Sequence, residues 1–143
     1  MTIPQISVFL ENRAGQLADI TRILAEAQVN MRALSIAETT DYGVLRLIVD
    51  DAPKASSVLL GEGFILTMTP VVGVAVPDRP GGLGQVLSVI SQAGIDVEYM
   101  YSVFGQKDGE AFMIFRVADT EGLTELFEAN KIHRIKGEDL GIH

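Results

Sequence analysis

The chain carries its own template. Glu11-Asn12-Arg13-Ala14-Gly15-Gln16-Leu17 recurs as Pro77-Asp78-Arg79-Pro80-Gly81-Gly82-Leu83, with Asn12 and Asp78 standing 66 positions apart in a chain of 143. A repeat of nearly half the length constrains the fold before any element is assigned, because both copies must fold into related units. Beyond the loop, Leu17, Ile20, Ile23, Leu24, Ala27 and Val29 fall on Leu83, Val86, Val89, Ile90, Ala93 and Ile95. Farther on the spacing grows to 68, so that Leu45, Leu47 and Val49 match Met113, Phe115 and Val117. The two additional residues are expected in the Gly105–Gly109 turn, since loops absorb insertions cheaply. The expected domains are residues 1–69 and 70–143, with Thr69-Pro70 as the only punctuation. Units this small bury little surface alone and are expected to share a core or an interface.

Within each copy the apolar period changes from strand to helix and back. Ile6, Val8 and Leu10 alternate as in a strand, and Leu17, Ile20, Leu24 and Ala27 form a helical stripe. Met31 to Thr39 reads as a second strand, Thr40-Asp41-Tyr42-Gly43 as a hairpin turn and Val44 to Asp50 as a third strand. A short helix starting near Pro53 ends at Gly61 and Gly63. Phe64 to Met68 is the fourth strand. The second copy predicts Val71–Val76, Gly82–Ala93, Asp96–Phe104, Ala111–Ala118, Glu121–Asn130 and Ile132–Lys136. The resulting fold class is α+β: two ferredoxin-like βαββαβ units with antiparallel sheets, side by side, each with its helices on one face. Parity places Met31, Ala33, Ser35, Ala37, Val97, Tyr99, Tyr101 and Val103 under the helices, together with Leu45, Leu47, Val49, Met113, Phe115 and Val117. The opposite parity is apolar too (Leu34, Ile36, Ile48, Met100, Phe104, Ile114), which predicts a homodimer joined through sheet faces.

Composition removes several classes of function. With 11 basic and 19 acidic residues the net charge is −8, which repels phosphate backbones and anionic membrane surfaces, so neither nucleic acid nor membrane is an expected partner. The absence of cysteine excludes disulfides, thiolate metal sites and a cysteine nucleophile, and fits a cytoplasmic setting. The first residues lack the basic and apolar regions of a signal peptide. His133 and His143 have no neighbours with triad or zinc spacing, so neither catalytic residues nor a metal site are expected. Asp50-Asp51 and Glu138-Asp139 read as solvated element ends, and Lys131, Arg134 and Lys136 as a solvated edge strand. Gly81-Gly82-x-Gly84 lacks the Lys-Ser/Thr of a phosphate-binding loop. No cofactor is implied.

The repeated loops are the candidate site. Each ends at a helix start beside glycine, where free N–H groups attract a carboxylate or phosphate. Local chemistry alone also allows a plainer role, with Asn12 and Asp78 as turn or capping residues and Pro80 as a helix-start proline. Asn30 and Asp96, at the start of the second strand of each copy, read alone as Asx turns.

The motifs Asn12-Arg13-Ala14-Gly15-x-Leu17 and Asp78-Arg79-Pro80-Gly81-x-Leu83, followed by an amphipathic helix and then Val29-Asn30 or Gly94-Ile95-Asp96, resemble those of ACT domains. These are small ferredoxin-like regulatory modules that commonly bind amino acids. The resemblance covers almost the whole chain and implies a stand-alone tandem ACT protein, a sensor rather than an enzyme. It implies a free amino acid ligand and a regulated enzyme partner. It also implies a site between two ACT units, one offering its first loop and the other the start of its second strand. The site would comprise Asn12, Arg13, Ala14, Gly15, Gln16 and Leu17 with Asp96 and Val97, and Asp78, Arg79, Pro80, Gly81, Gly82 and Leu83 with Asn30 and Met31. Backbone amides near Gly15 or Gly81 would take the ligand carboxylate, and the oxygens of Asn12, Asn30, Asp78 and Asp96 its ammonium. Ala14 and Gln28 depart from the usual proline and glycine. The alternatives are an oligomerisation or adaptor module with empty pockets and, more remotely, a ferredoxin-like small-molecule enzyme.

Overall fold

The computed structural model describes residues 2–11, 13–38, 41–107 and 109–142. The element order is β1 (Ile3–Glu11), α1 (Gln16–Glu26), β2 (Met31–Glu38), β3 (Tyr42–Val49), α2 (Ala52–Gly61), β4 (Ile65–Pro77), α3 (Gly82–Gln92), β5 (Tyr99–Lys107), β6 (Glu110–Arg116), α4 (Thr120–Ala129), β7 (Arg134–Ile135) and a 3₁₀ turn, Gly137–Leu140. Contacts divide the chain into two compact units, one of residues 4–69 with 141–143, the other of residues 70–140 with 1–3. Both carry the βαββαβ order expected of ferredoxin-like units.

In the first unit β3 lies between β2 and β1, antiparallel to both. β4 lies beside β1, where the hydroxyls of Ser7 and Thr69 share a hydrogen bond of 3.1 Å. Ile6, Val8, Leu45, Leu47 and Val49 meet Ile20, Ile23 and Leu24 of α1 and Ala55 and Leu59 of α2 in one buried cluster. The second unit repeats the plan, with β6 between β5 and β4 and β7 on the far side of β4. Val72, Val74, Phe115 and Val117 there meet Val86 and Ile90 of α3 and Leu123 and Phe127 of α4.

Several boundaries differ from the sequence expectation. β4 does not stop at Met68 but continues through Pro70 to Pro77. A proline lacks only the N–H, and the Pro70 carbonyl is still used, accepting from Arg116 Nη1 at 2.9 Å. Tyr42 and Gly43, expected in the hairpin turn, are already strand, paired with Glu11 and Leu10; Thr40 of that turn lies outside the described residues. β5 begins at Tyr99 rather than Asp96, and β7 is only two residues long.

Face parity in β2 and β5 is the larger correction. Register shifts between Met31 and Ala33, after which Leu34 stands opposite Leu47 and Ile36 opposite Leu45. Leu34, not Ala33 or Ser35, therefore packs with Met31 in the helix-side core. The second unit makes the same three-residue step, from Val97 to Met100, which stands opposite Phe115. Tyr99 and Tyr101 lie on the other face, their rings stacked with centroids 6.4 Å apart. In β2 a bulge adds one residue, which inverts every side chain after it; in the second unit the step falls ahead of β5, which begins at Tyr99.

Asp51 and Asp119, at corresponding repeat positions, cap α2 and α4 by accepting from Lys54 N–H (3.1 Å) and Gly122 N–H (2.9 Å). Asp119→Ala is expected to cost about 1 kcal/mol of stability, read as a lowered urea midpoint with unchanged slope.

Candidate ligand site

The loops after β1 and β4 end in the same backbone. Gly15 (φ 88°) and Gly81 (φ 85°) occupy the N-cap positions of α1 and α3 in the left-handed region, and neither helix receives a side-chain cap hydrogen bond. An L side chain is strained there, which explains why both copies keep glycine. The capping role weighed for Asp78, and the helix-start role weighed for Pro80, are thus not what the structure shows: α3 begins at Gly82, capped by Gly81. Asn12 lies outside the described residues. The first N–H to reach an intrahelical carbonyl is that of Asp19 in α1, to Gly15 O at 2.9 Å, and that of Gln85 in α3, to Gly81 O at 3.0 Å. Ahead of them, Gly82 N–H is taken by Arg79 O, and the remaining first-turn N–H groups have no intrahelical partner. They carry the partial positive charge of the helix.

The two loops are not equal. In the second, a Cβ on Gly82 would come within 2.0 Å of the Pro77 carbonyl oxygen, and Gly82 N–H donates to Arg79 O at 3.0 Å. In the first, that position is Gln16, a buried residue whose Oε1 has no hydrogen-bond partner. Arg13 Nε lies 3.3 Å from Glu11 Oε2 on the surface. Leu17 is partly exposed, and Arg79 and Pro80 are exposed.

Cavities sit at corresponding places in the two units. One of about 260 Å³ is lined by Phe9, Glu11, Gln16, Tyr42, Gly63, Phe64 and Ile65, among others. One of about 360 Å³ is lined by Ala75, Pro77, Gly82, Glu110, Lys131, Ile132 and His133, among others. These seven pairs coincide at repeat spacings of 66 and 68. Sequence reasoning missed their far walls, which come from the segments after α2 and α4.

The other half of the predicted site lies at the opposite end of each first helix. An 11-residue α1 puts about 16 Å between Gly15 and the start of β2. No single unit thus brings its own loop together with its own Asn30 and Met31, or Asp96 and Val97. Asn30 is fixed by its backbone: its N–H donates to Asp50 Oδ1 at 2.9 Å, and its carbonyl accepts from Asp50 N–H at 3.0 Å. Asp50, read from sequence as a solvated strand end, is that anchor; nothing local signals a partner 20 positions away. Asp96 is exposed in a loop ahead of β5. Among the described residues no group of three or more His, Asp or Glu could hold a metal ion, and no helix is long and apolar enough to cross a membrane.

Two βαββαβ units with twin glycine-capped loops make a tandem pair of small ferredoxin-like modules. A family model described as an ACT domain pair matches residues 1–142, and the chain belongs to that family. It is similar to a solved protein from Bacteroides thetaiotaomicron, at 37% identity and a TM-score of 0.91, with 99% of this chain and 96% of that one covered. It shares its fold with the regulatory subunit of aspartate kinase from Thermus thermophilus (16% identity, TM-score 0.62, 88% and 91% covered). It also shares it with part of Escherichia coli aspartokinase III, solved with lysine and aspartate (14% identity, TM-score 0.51, 90% and 31% covered). No curated protein matches the sequence.

Proposed function

We propose that the chain is a cytoplasmic amino-acid sensor, non-catalytic itself, in which residues 1–69 and 70–143 act as two ACT domains. The ligand carboxylate sits on the first-turn N–H groups behind Gly15 or Gly81. Its ammonium meets oxygens from Asn12, Asn30, Asp78 and Asp96. Arg13, Ala14, Gln16, Leu17, Arg79, Pro80, Gly82 and Leu83 shape the loops, and Met31 and Val97 flank the second-strand starts. Loop and strand start come from different units, so the ligand stabilises one arrangement of the pair. It shifts the equilibrium only by its differential affinity for the two states. A homodimer and a regulated enzyme are the expected assembly.

One observation carries this reading: both loops end in a left-handed glycine cap with no side-chain hydrogen bond on the helix end, which leaves that end open to a ligand's oxygens. The lysine and aspartate solved with aspartokinase III support amino acids as the ligand class. A thermal-shift screen of the natural amino acids tests it. A ligand at 100 times its dissociation constant adds about 2.7 kcal/mol of stability. Gly81→Val should weaken binding about tenfold or more. Flat melting curves with every amino acid at millimolar concentration would leave the adaptor reading standing instead.

A further inference from the structure

The last helix of the second unit ends in a way that stability alone does not explain. All four helices close with the same pair of hydrogen bonds, for example Ile132 N–H to Phe127 O (2.9 Å) and Lys131 N–H to Glu128 O (3.2 Å) in α4. The motif needs one residue in the left-handed region. That residue is Gly63 after α2 and Gly94 after α3, but Gln28 after α1 and Lys131 after α4, at φ 61° and 56°. Gly63 and Lys131 are the same repeat position, so the second copy has a strained lysine where the first has the unstrained solution.

Lys131 lines two adjoining cavities of about 380 and 360 Å³, which share Lys131, Ile132 and His133. Lys136 lines the first of them. Four basic side chains (Lys131, His133, Arg134, Lys136) fall within six positions of a chain whose net charge is −8. The corresponding residues of the first copy are Gly63, Ile65, Leu66 and Met68, so the cluster is not a by-product of the repeat. Arg134 is paired with Glu128 at 2.5 Å, and His133 Nδ1 lies 3.5 Å from Glu110 Oε1. Among the described residues Lys131 and Lys136 enter no ion pair. A cation at the C-terminal end of α4 does complement the helix charge, but any position of the last turn offers that without a left-handed lysine.

We propose that these cavities form an anion seat, confined to the second unit. There Lys131 and Lys136 hold the carboxylate or phosphoryl oxygens of a small metabolite whose apolar part rests on Ile132. The seat shares the cavity of about 360 Å³, and Gly82 in it, with the candidate ligand site, but it does not use the glycine caps on which the amino-acid reading rests. Inorganic phosphate and succinate, each titrated against chloride at constant ionic strength, serve as the two anions. Backbone amide resonances of residues 131–136 should shift saturably with at least one, and which one identifies the oxygen chemistry. Lys131→Gly should raise the melting temperature, by relieving the backbone, while weakening that anion about tenfold; Lys131→Arg should retain it. No saturable shift with either anion overturns the proposal. So does a Lys131→Gly variant that binds as the parent does.

Discussion

Replacing Phe127 by alanine is expected to lower the unfolding free energy by about 3–5 kcal/mol. The ring is fully buried on α4 and meets Phe115 of β6 edge-on, with centroids 6.3 Å apart and planes at 65°. That geometry adds to plain area burial. Phe127 lies in a core with Val86 and Ile90 of α3 and Leu123 of its own helix, and the loss of its ring would leave a cavity that the backbone fills only in part. Against a typical total of about 5–15 kcal/mol, such a loss is a large share. Urea denaturation followed by circular dichroism measures it. A loss below about 1 kcal/mol, in the range of surface changes, would mean that α4 is not docked through this ring.

The second large effect is expected at Gly82. A methyl group there would meet the Pro77 carbonyl oxygen at 2.0 Å, backbone against backbone, with no flexible side chain to give way. Gly82→Ala must therefore move the start of α3 or the end of β4. It should cost about 1–3 kcal/mol, as overpacking does. The displacement would also move Gly81 and the N–H groups behind it, so amino-acid binding at the second loop should fall along with stability. The matched control is Gln16→Ala in the first copy. There the backbone already accommodates a side chain, and the change removes a buried carbonyl oxygen that has no partner; it should be much milder. Equal losses at the two positions would contradict the difference described between the loops.

Much of this was readable in advance, and the failures have a common physical cause. The repeat revealed the element order, because apolar spacing changed from two to three or four at matching places in both copies. Parity was correct for β3 and β6, where Leu45, Leu47, Val49 and Phe115 are buried under the helices, as is Val117 just after β6. It failed in β2 and β5 because both faces of those strands are apolar. A one-residue bulge after Met31 then leaves no polar mismatch to betray itself. Pro70 misled for a similar reason: it reads as a break, yet a strand position whose N–H is not needed tolerates it. At the loops, the glycines were legible because only their backbone conformation demands them. The Asp50 anchor of Asn30 was not, since it depends on β3 ending beside the start of β2. Lys131 was half legible. The 68-residue spacing already set it against Gly63, but only the backbone angle turned that substitution into a question.

Ile3 belongs to one copy by sequence and to the other by packing. It is 1% exposed and clusters with residues 70–140, although the rest of β1 belongs to the other unit. A Cβ on Gly73 would lie 2.9 Å from its Cδ1. The second copy thus takes a piece of its interior from the first strand of the other copy. The two halves of the repeat are therefore not exchangeable cassettes: a swap of residues 70–140 would have to carry Ile3 with it.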